Sequence, residues 1–260
     1  MTLTTVQNLL LRALPAAELQ RLAPRLERVE LARGAMLYEA GATIGHVHFP
    51  ETAIVSLTTT LQDGASVEVA VVGQEGIVGV CAYMGGGRSL SSAVVQTAGQ
   101  ALRMTAASIR DASRESAPLM QELLRYTQVL FTHMAQTSAC SRHHALDQQL
   151  CRWLLLHLDR LSGNELLVTQ ERIGHMLGVR RESVTAGALE LQRAGLIEYG
   201  RGRICILDRS GLEARSCECY AVVRGAYDRL QAGNASAAAH LGAHWPSPRP
   251  HLPARQLETA

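Results

Sequence analysis

Apolar positions change their spacing along the chain. Between residues 25 and 104 they come as short alternating runs broken by glycine: Val29-Glu30-Leu31, Met36-Leu37-Tyr38, Ala53 through Leu61 and Val67 through Val72, with Gly34, Gly41 and Asp63-Gly64 between them. Alternation at period two with turn residues at regular intervals predicts short strands folded into a small β-roll or barrel. Asp63-Gly64 reads as a hairpin turn, because Asp and Gly accept the positive φ that such a turn needs. Ahead of this block, residues 15–26 read as a short helix opened by Pro15.

Glycine then thins out, and after Pro118 nothing breaks a helix up to about residue 142. Leu119, Leu123, Tyr126, Leu130 and His133 recur at three-four spacing, a seam on one long amphipathic helix over residues 117–144. Between two domains such a helix serves as a connector and dimer interface; packing on its own β-roll is the other reading. A second helix follows, with Leu150, Trp153, Leu154, Leu156 and Leu158 on one broad face, and Ser162-Gly163-Asn164 ends it. Residues 211–230 read as a last helix, and residues 231–260, rich in Ala, Pro and His without apolar periodicity, as a disordered tail.

With 260 residues the chain can bury two cores without disulfides. Aromatics are 4% of it, which argues against nucleic-acid binding by base stacking. A net charge of +2 excludes a polybasic or polyacidic chain, so any anion-binding face must be local. All 25 cations are arginine, the better bidentate partner for phosphate and guanine. The first 14 residues hold no stretch suited to a signal or a span, which predicts a cytoplasmic protein without membrane contact. The six cysteines, at 81, 140, 151, 205, 217 and 219, lack zinc-ligand spacing, so neither a disulfide framework nor a metal site is expected. Cys217 and Cys219, two apart on the expected last helix, would point in different directions and read as buried filler, with thiol redox sensing as the alternative.

The stretch VTQERIGHMLGVRRESVTAGALELQRAGLIEYGRGRICIL, residues 168–207, carries the chemistry. Thr169 suits an N-cap and Glu171 the positive end of a short helix running to Leu177. Gly178 then permits a sharp turn into a second helix starting near Arg181, on which Val184, Ala188 and Leu189 recur at core spacing. That leaves Arg180, Arg181, Glu182, Ser183 and Thr185 on its outward amino-terminal end, where a recognition helix meets base edges. Arginine can fork onto guanine, glutamate can accept from cytosine, and the hydroxyls can bond phosphate or base. Residues 198–206 read as two strands joined by a glycine-rich turn carrying Arg201 and Arg203, a wing that can grip the phosphodiester backbone beside Thr169 and Gln170.

Over VTQERIGHMLGVRRESVT and GLIEYGRGRICILDRSGLE the chain resembles the Crp-Fnr (cyclic AMP receptor protein and fumarate-nitrate regulator) family. The resemblance implies an α+β chain. Residues 1–116 would form a leading helix and a cyclic-nucleotide-binding-like β-roll, residues 117–144 a dimerisation helix, residues 145–210 a winged helix-turn-helix, and residues 211–230 a terminal helix. It also implies a homodimer on a palindromic operator in double-stranded DNA, with RNA polymerase as a further partner. Arg181 and Glu182 occupy the family's base-reading places, while Ala186 and Gly187 stand about where a third reader, an Arg, is usual. The expected target sequence changes accordingly.

In this family a cyclic nucleotide is held by a glycine-rich turn, a Glu on the ribose and an Arg on the phosphate. Gly73-Gln74-Glu75-Gly76-Ile77-Val78-Gly79 resembles the first part, but the best register puts Ser91, followed by Ser92, where the phosphate Arg belongs. Replacing that charge-assisted contact by a hydroxyl loses roughly 1.5–3 kcal/mol, one to two decades of affinity. A regulator working without cyclic AMP is therefore expected; a nucleotide-gated regulator using Arg88, from the loop Gly85-Gly86-Gly87-Arg88, is the alternative. The first cysteine is Cys81, which argues against the family's amino-terminal iron–sulfur cluster. His46, His48, His133, His143 and His144 are candidate haem ligands that read better as ordinary histidines. His46 and His48 with Glu51 raise a different class, a cupin-like metal enzyme or sensor, but no histidine follows until His133. No catalytic residue and no cofactor are expected, and the sequence names no effector.

Overall fold

The computed structural model describes residues 6–85 and 87–232. Strands β1 (Glu27–Leu31), β2 (Met36–Tyr38), β3 (His46–Pro50), β4 (Ile54–Thr60), β5 (Ser66–Val72), β6 (Ser92–Thr97) and β7 (Gly99–Thr105) form two antiparallel sheets, ordered β1-β7-β3 and β2-β6-β4-β5. Val47, Phe49, Ile54, Val55, Val71, Val95 and Leu102 are buried in the core of this β-roll, as the alternation in the sequence requires. The β4–β5 hairpin turns at Asp63-Gly64: the Asp63 carboxylate accepts from the Ala65 amide at 2.9 Å and Gly64 has a φ of 85°.

Three short helices frame the roll. Helix α1 (Leu9–Arg12) is tied down by Asn8, whose amide donates to the carbonyls of Pro50 and Gly76 at 2.8 and 2.9 Å and whose Oδ1 accepts from the Leu11 amide. Helix α2 (Ala16–Leu22) follows Pro15 as expected. Helix α3 (Ala106–Glu115) is capped by the Thr105 hydroxyl. Among the described residues no helix is long and apolar enough to cross a membrane.

Helix α4 (Ala117–His143), capped by Ser116, leads through His144 and Ala145 into α5 (Leu146–Leu158). The expected interface seam on α4 needs correction. Leu119, Leu123, Tyr126, Leu130 and His133 are all buried within the protomer, where α4 lies against β5 and a carboxy-terminal helix, α9 (Glu218–Ala232). His133 Nδ1 meets the Tyr227 hydroxyl at 3.3 Å, and Arg125 donates to the Leu230 carbonyl. The face left open carries Leu124, Gln128, Phe131 and Ala135, all exposed, again at three-four spacing. A three-four pattern marks an apolar face without saying what covers it.

After α5 come β8 (Glu165–Leu167), α6 (Gln170–Leu177), α7 (Arg181–Arg193), β9 (Ile197–Gly200), β10 (Arg203–Ile206) and α8 (Arg209–Arg215), with the sheet ordered β8-β10-β9. The single helix expected over residues 211–230 is broken: α8 ends at Arg215, Ser216 and Cys217 make the turn, and α9 begins at Glu218. Of the tail expected to be disordered, Gln231 and Ala232 finish α9, and residues 233–260 lie outside the described residues.

The histidine pair proposed for a metal does not assemble a site with Glu51. That carboxylate is bound by Arg28 at 3.0 and 3.1 Å and by the Gln7 amide at 2.9 Å. His48 is buried, its Nδ1 without a hydrogen-bond partner among the described residues. Burial first, then the charges of Arg103 and His46, push its pKa down to about 4. A histidine lowered from its ordinary value stays neutral in the fold, so its contribution is fully present above about pH 6.5 and lost as pH falls through 4, for about 3 kcal/mol. Urea unfolding at pH 7 and at pH 4 should show this loss in the wild type and a clearly smaller one in His48→Gln; equal losses would clear His48 of the effect.

Candidate nucleic-acid interface

Thr169 caps α6, its hydroxyl accepting from the Arg172 amide at 3.2 Å. The helix ends at Gly178, whose φ of 66° reverses the chain at low steric cost. The Val179 amide then donates back to the Gly174 carbonyl at 2.9 Å. This packing is close: a Cβ on Gly174 would lie 2.9 Å from the Val179 carbonyl oxygen, so only glycine fits without displacement. Helix α7 starts straight after Arg180 and buries Val184, Ala188 and Leu191.

The amino-terminal end of α7 is open. Arg180, Arg181, Glu182 and Ser183 are exposed, and no ion pair among the described residues engages either arginine. Thr185 is half-buried and donates to Gln170 Oε1 at 2.7 Å. Those two residues, expected to reach base and backbone, thus latch the starts of α6 and α7 together. Gly187 faces inward, where an added Cβ would be 3.3 Å from Leu150. The outward stripe continues instead through Ala186, Leu189 and Arg193, all exposed. Leu189, expected at a core position, thus lies on the outward face, and Leu191 takes the core place beside Val184 and Ala188. Arg193 was not singled out from the sequence, although the i, i+4, i+7 and i+11 spacing from Glu182 was the available signal.

Strands β9 and β10 are joined by Arg201-Gly202 with φ values of 48° and 78°, a two-residue turn of the primed type. It is anchored to the start of α6 by the Val168 amide donating to the Gly202 carbonyl at 2.9 Å. Exposed Arg201 therefore stands beside Thr169 and, through it, beside α6. Arg203 is exposed as well, in a loose pair with Glu165 at 3.4 Å.

The turn expected to face an effector is filled from inside the chain. Glu75 accepts from Arg160 Nε at 2.7 Å and from the Gly73 amide at 3.1 Å, and both side chains of the pair are buried. The Arg160 guanidinium also lies 4.9 Å over the Tyr227 ring. A Cβ on Gly76 would collide with the Tyr126 ring, and one on Gly73 would meet Arg160. These residues therefore form a joint between the β-roll and the carboxy-terminal half. Ser91 and Ser92 are likewise engaged, Ser91 with Ser89 and Ser92 with the Ala40 amide. Arg88 pairs with Thr43 at the strand edge and reaches the Gly41 carbonyl at 3.5 Å. Of the six residues expected to line one effector pocket, Gly73, Glu75 and Gly76 lie in this joint, while the backbone of Ser91 and the hydroxyl of Ser92 are engaged locally and Arg88 is exposed.

Two further contacts join the halves: Arg172 of α6 donates to Gln96 at 3.0 Å, and His157 Nε2 faces Glu68 Oε2 across 3.5 Å, both groups buried.

Two family models match this chain. The cyclic nucleotide-binding domain matches residues 28–116, and the Crp-like helix-turn-helix domain matches residues 148–215. The chain belongs to the Crp-Fnr family. It is a transcription regulator of that type, with a helix-turn-helix DNA-binding domain.

Solved structures of similar fold include other Crp-Fnr regulators. A transcriptional regulator of the family from Eubacterium rectale is 18% identical, with 79% of this chain and 96% of that one covered and a TM-score of 0.61. FixK2 from Bradyrhizobium japonicum is 16% identical, covering 74% and 98%, with a TM-score of 0.62. A CRP-family transcriptional regulator from Thermus thermophilus is 20% identical, covering 73% and 96%, with a TM-score of 0.61. At these identities the likeness speaks for the fold. No curated protein matches the chain.

Proposed function

We propose that this Crp-Fnr regulator binds an inverted-repeat operator as a homodimer, without cyclic AMP, and acts through that binding rather than through catalysis. The observation that carries the reading is the open end of α7, where Arg180, Arg181, Glu182 and Ser183 are exposed beside a wing turn hydrogen-bonded to the start of α6. Arg181 and Glu182 are the base readers, and exposed Ala186 and Leu189 are placed to touch thymine methyl groups. Thr169, Arg201 and Arg203 grip the phosphodiester backbone. RNA polymerase is the partner through which the bound regulator would act.

Independence from cyclic AMP is supported by the engagement of Glu75 with Arg160 and by the Tyr126 ring against Gly76. A nucleotide would have to break a buried ion pair and displace a core tyrosine to use that turn. Dimerisation is supported by the exposed Leu124 and Phe131, two heptad-spaced apolar residues on the open face of a helix of 27 residues.

The division of roles is tested by two substitutions in a binding titration. Arg181→Ala should cost roughly 1–3 kcal/mol at one operator position and relax the base preference there. Arg201→Ala should weaken all sequences alike and lower the salt slope by about one. The same response from both variants would refute the assignment.

A further inference from the structure

Four metal-ligand side chains from two segments distant in sequence converge. Cys140 and His144 sit one turn apart at the end of α4, and Cys217 and Cys219 flank Glu218 where α8 hands over to α9. Because Cys217 precedes α9, the two cysteines do not diverge as they would on one helix. The three Sγ atoms and one ring nitrogen of His144 lie within 4.8 Å of one another. Cys140 Sγ is 3.5 Å from Cys217 Sγ, and Cys219 Sγ is 3.4 Å from His144 Nδ1. Around a tetrahedral zinc ion with Zn–S near 2.3 Å and Zn–N near 2.0–2.1 Å, such ligand pairs stand about 3.6–3.8 Å apart.

The surroundings fit the same chemistry. His144 offers Nδ1 to the cluster while its Nε2 faces the Glu218 carboxylate at 3.3 Å, the carboxylate–histidine arrangement that fixes a ligating imidazole. Gln136 donates to Cys219 Sγ at 3.1 Å. Arg152 is buried, its Nε lacks a hydrogen-bond partner among the described residues, and its charge acts on Cys140, where it would offset the surplus charge of three thiolates. All the cysteines are free thiols. The three thiols would release their protons on metal binding.

We propose that Cys140, His144, Cys217 and Cys219 bind one thiophilic divalent metal ion, for which Zn²⁺ is the fitting probe. Three thiolates and an imidazole are the donor set of a closed, structural site with no position left for substrate. Such an ion would clamp the last turn of α4 to the start of α9, next to His144 and Ala145, where the chain passes into the helix-turn-helix half. Any effect on DNA affinity rests on the DNA-binding reading above; the site itself does not.

The test uses the full chain, reduced and stripped of metal, titrated with Zn²⁺ against a chromogenic chelator and separately with Co²⁺. One equivalent is expected, with the absorption of tetrahedral thiolate-bound Co²⁺. Cys219→Ser and His144→Ala should lose it, Cys205→Ser should keep it, and Glu218→Gln, altered only at an exposed side chain, should weaken it 10–100-fold while the fold stays intact. Failure of the reduced chain to retain Zn²⁺, or retention undiminished in both ligand variants, would overturn the proposal. Operator titrations with and without Zn²⁺ separate the two readings: metal uptake with no DNA binding in either state leaves the site standing and removes the DNA-binding reading instead.

Discussion

Replacing Arg160 with alanine is expected to destabilise the protein by about 3–5 kcal/mol, the cost of leaving a buried carboxylate unpaired. The Arg160 and Glu75 side chains are only 4% and 7% exposed, so water cannot take over for the missing guanidinium. The same change removes the cation packed on Tyr227. Because Glu75 belongs to the β-roll and Arg160 follows α5, the loss falls on the joint between the two halves. Urea unfolding should show either a lower midpoint or two separate transitions, one for each half. The double variant Glu75→Leu with Arg160→Met should recover most of the loss, since an apolar pair carries no desolvation penalty. A single-variant cost below about 1 kcal/mol would mean that the pair is solvated and the joint is not built on it.

The second large effect concerns assembly. Leu124→Glu with Phe131→Glu is expected to yield a folded monomer whose operator affinity falls by about 10²–10⁴-fold, the avidity lost when two linked half-site contacts become independent. Both residues are exposed in the protomer, at 55% and 54%, so the substitutions bury no charge and leave the fold intact. The matching change on the inward face, Leu123→Glu, should unfold the chain instead, because Leu123 is fully buried. Sedimentation at micromolar concentration distinguishes the cases. A dimer that survives the double change would place the interface elsewhere.

The contrast between Leu123 and Leu124 marks where sequence reading stops. Helix α4 has apolar residues on two faces, and periodicity finds both without telling which is covered by α9 and which is open. The helix-turn-helix was legible because its signals are local: the Thr169 cap, the Gly178 turn and the Arg201-Gly202 hairpin lie within a few residues of what they organise. The contacts of the glycine turn are illegible in the sequence for the opposite reason. Gly73, Glu75 and Gly76 have the residue types of a phosphate cradle, but their partners, Tyr126 and Arg160, arrive from distant helices. Cys140 and Cys217 are 77 positions apart, and only the break between α8 and α9 brings them together. Helix α1 likewise depends on Asn8 meeting Pro50 and Gly76, contacts invisible to any local pattern.

The central claim is most directly tested by selecting from random duplex DNA with the purified, reduced protein at physiological salt, with and without cyclic AMP. The account predicts enrichment of one inverted repeat with half-sites about one helical turn apart, the same with and without the nucleotide. Enrichment only when cyclic AMP is present, or no enrichment in either arm, would contradict it.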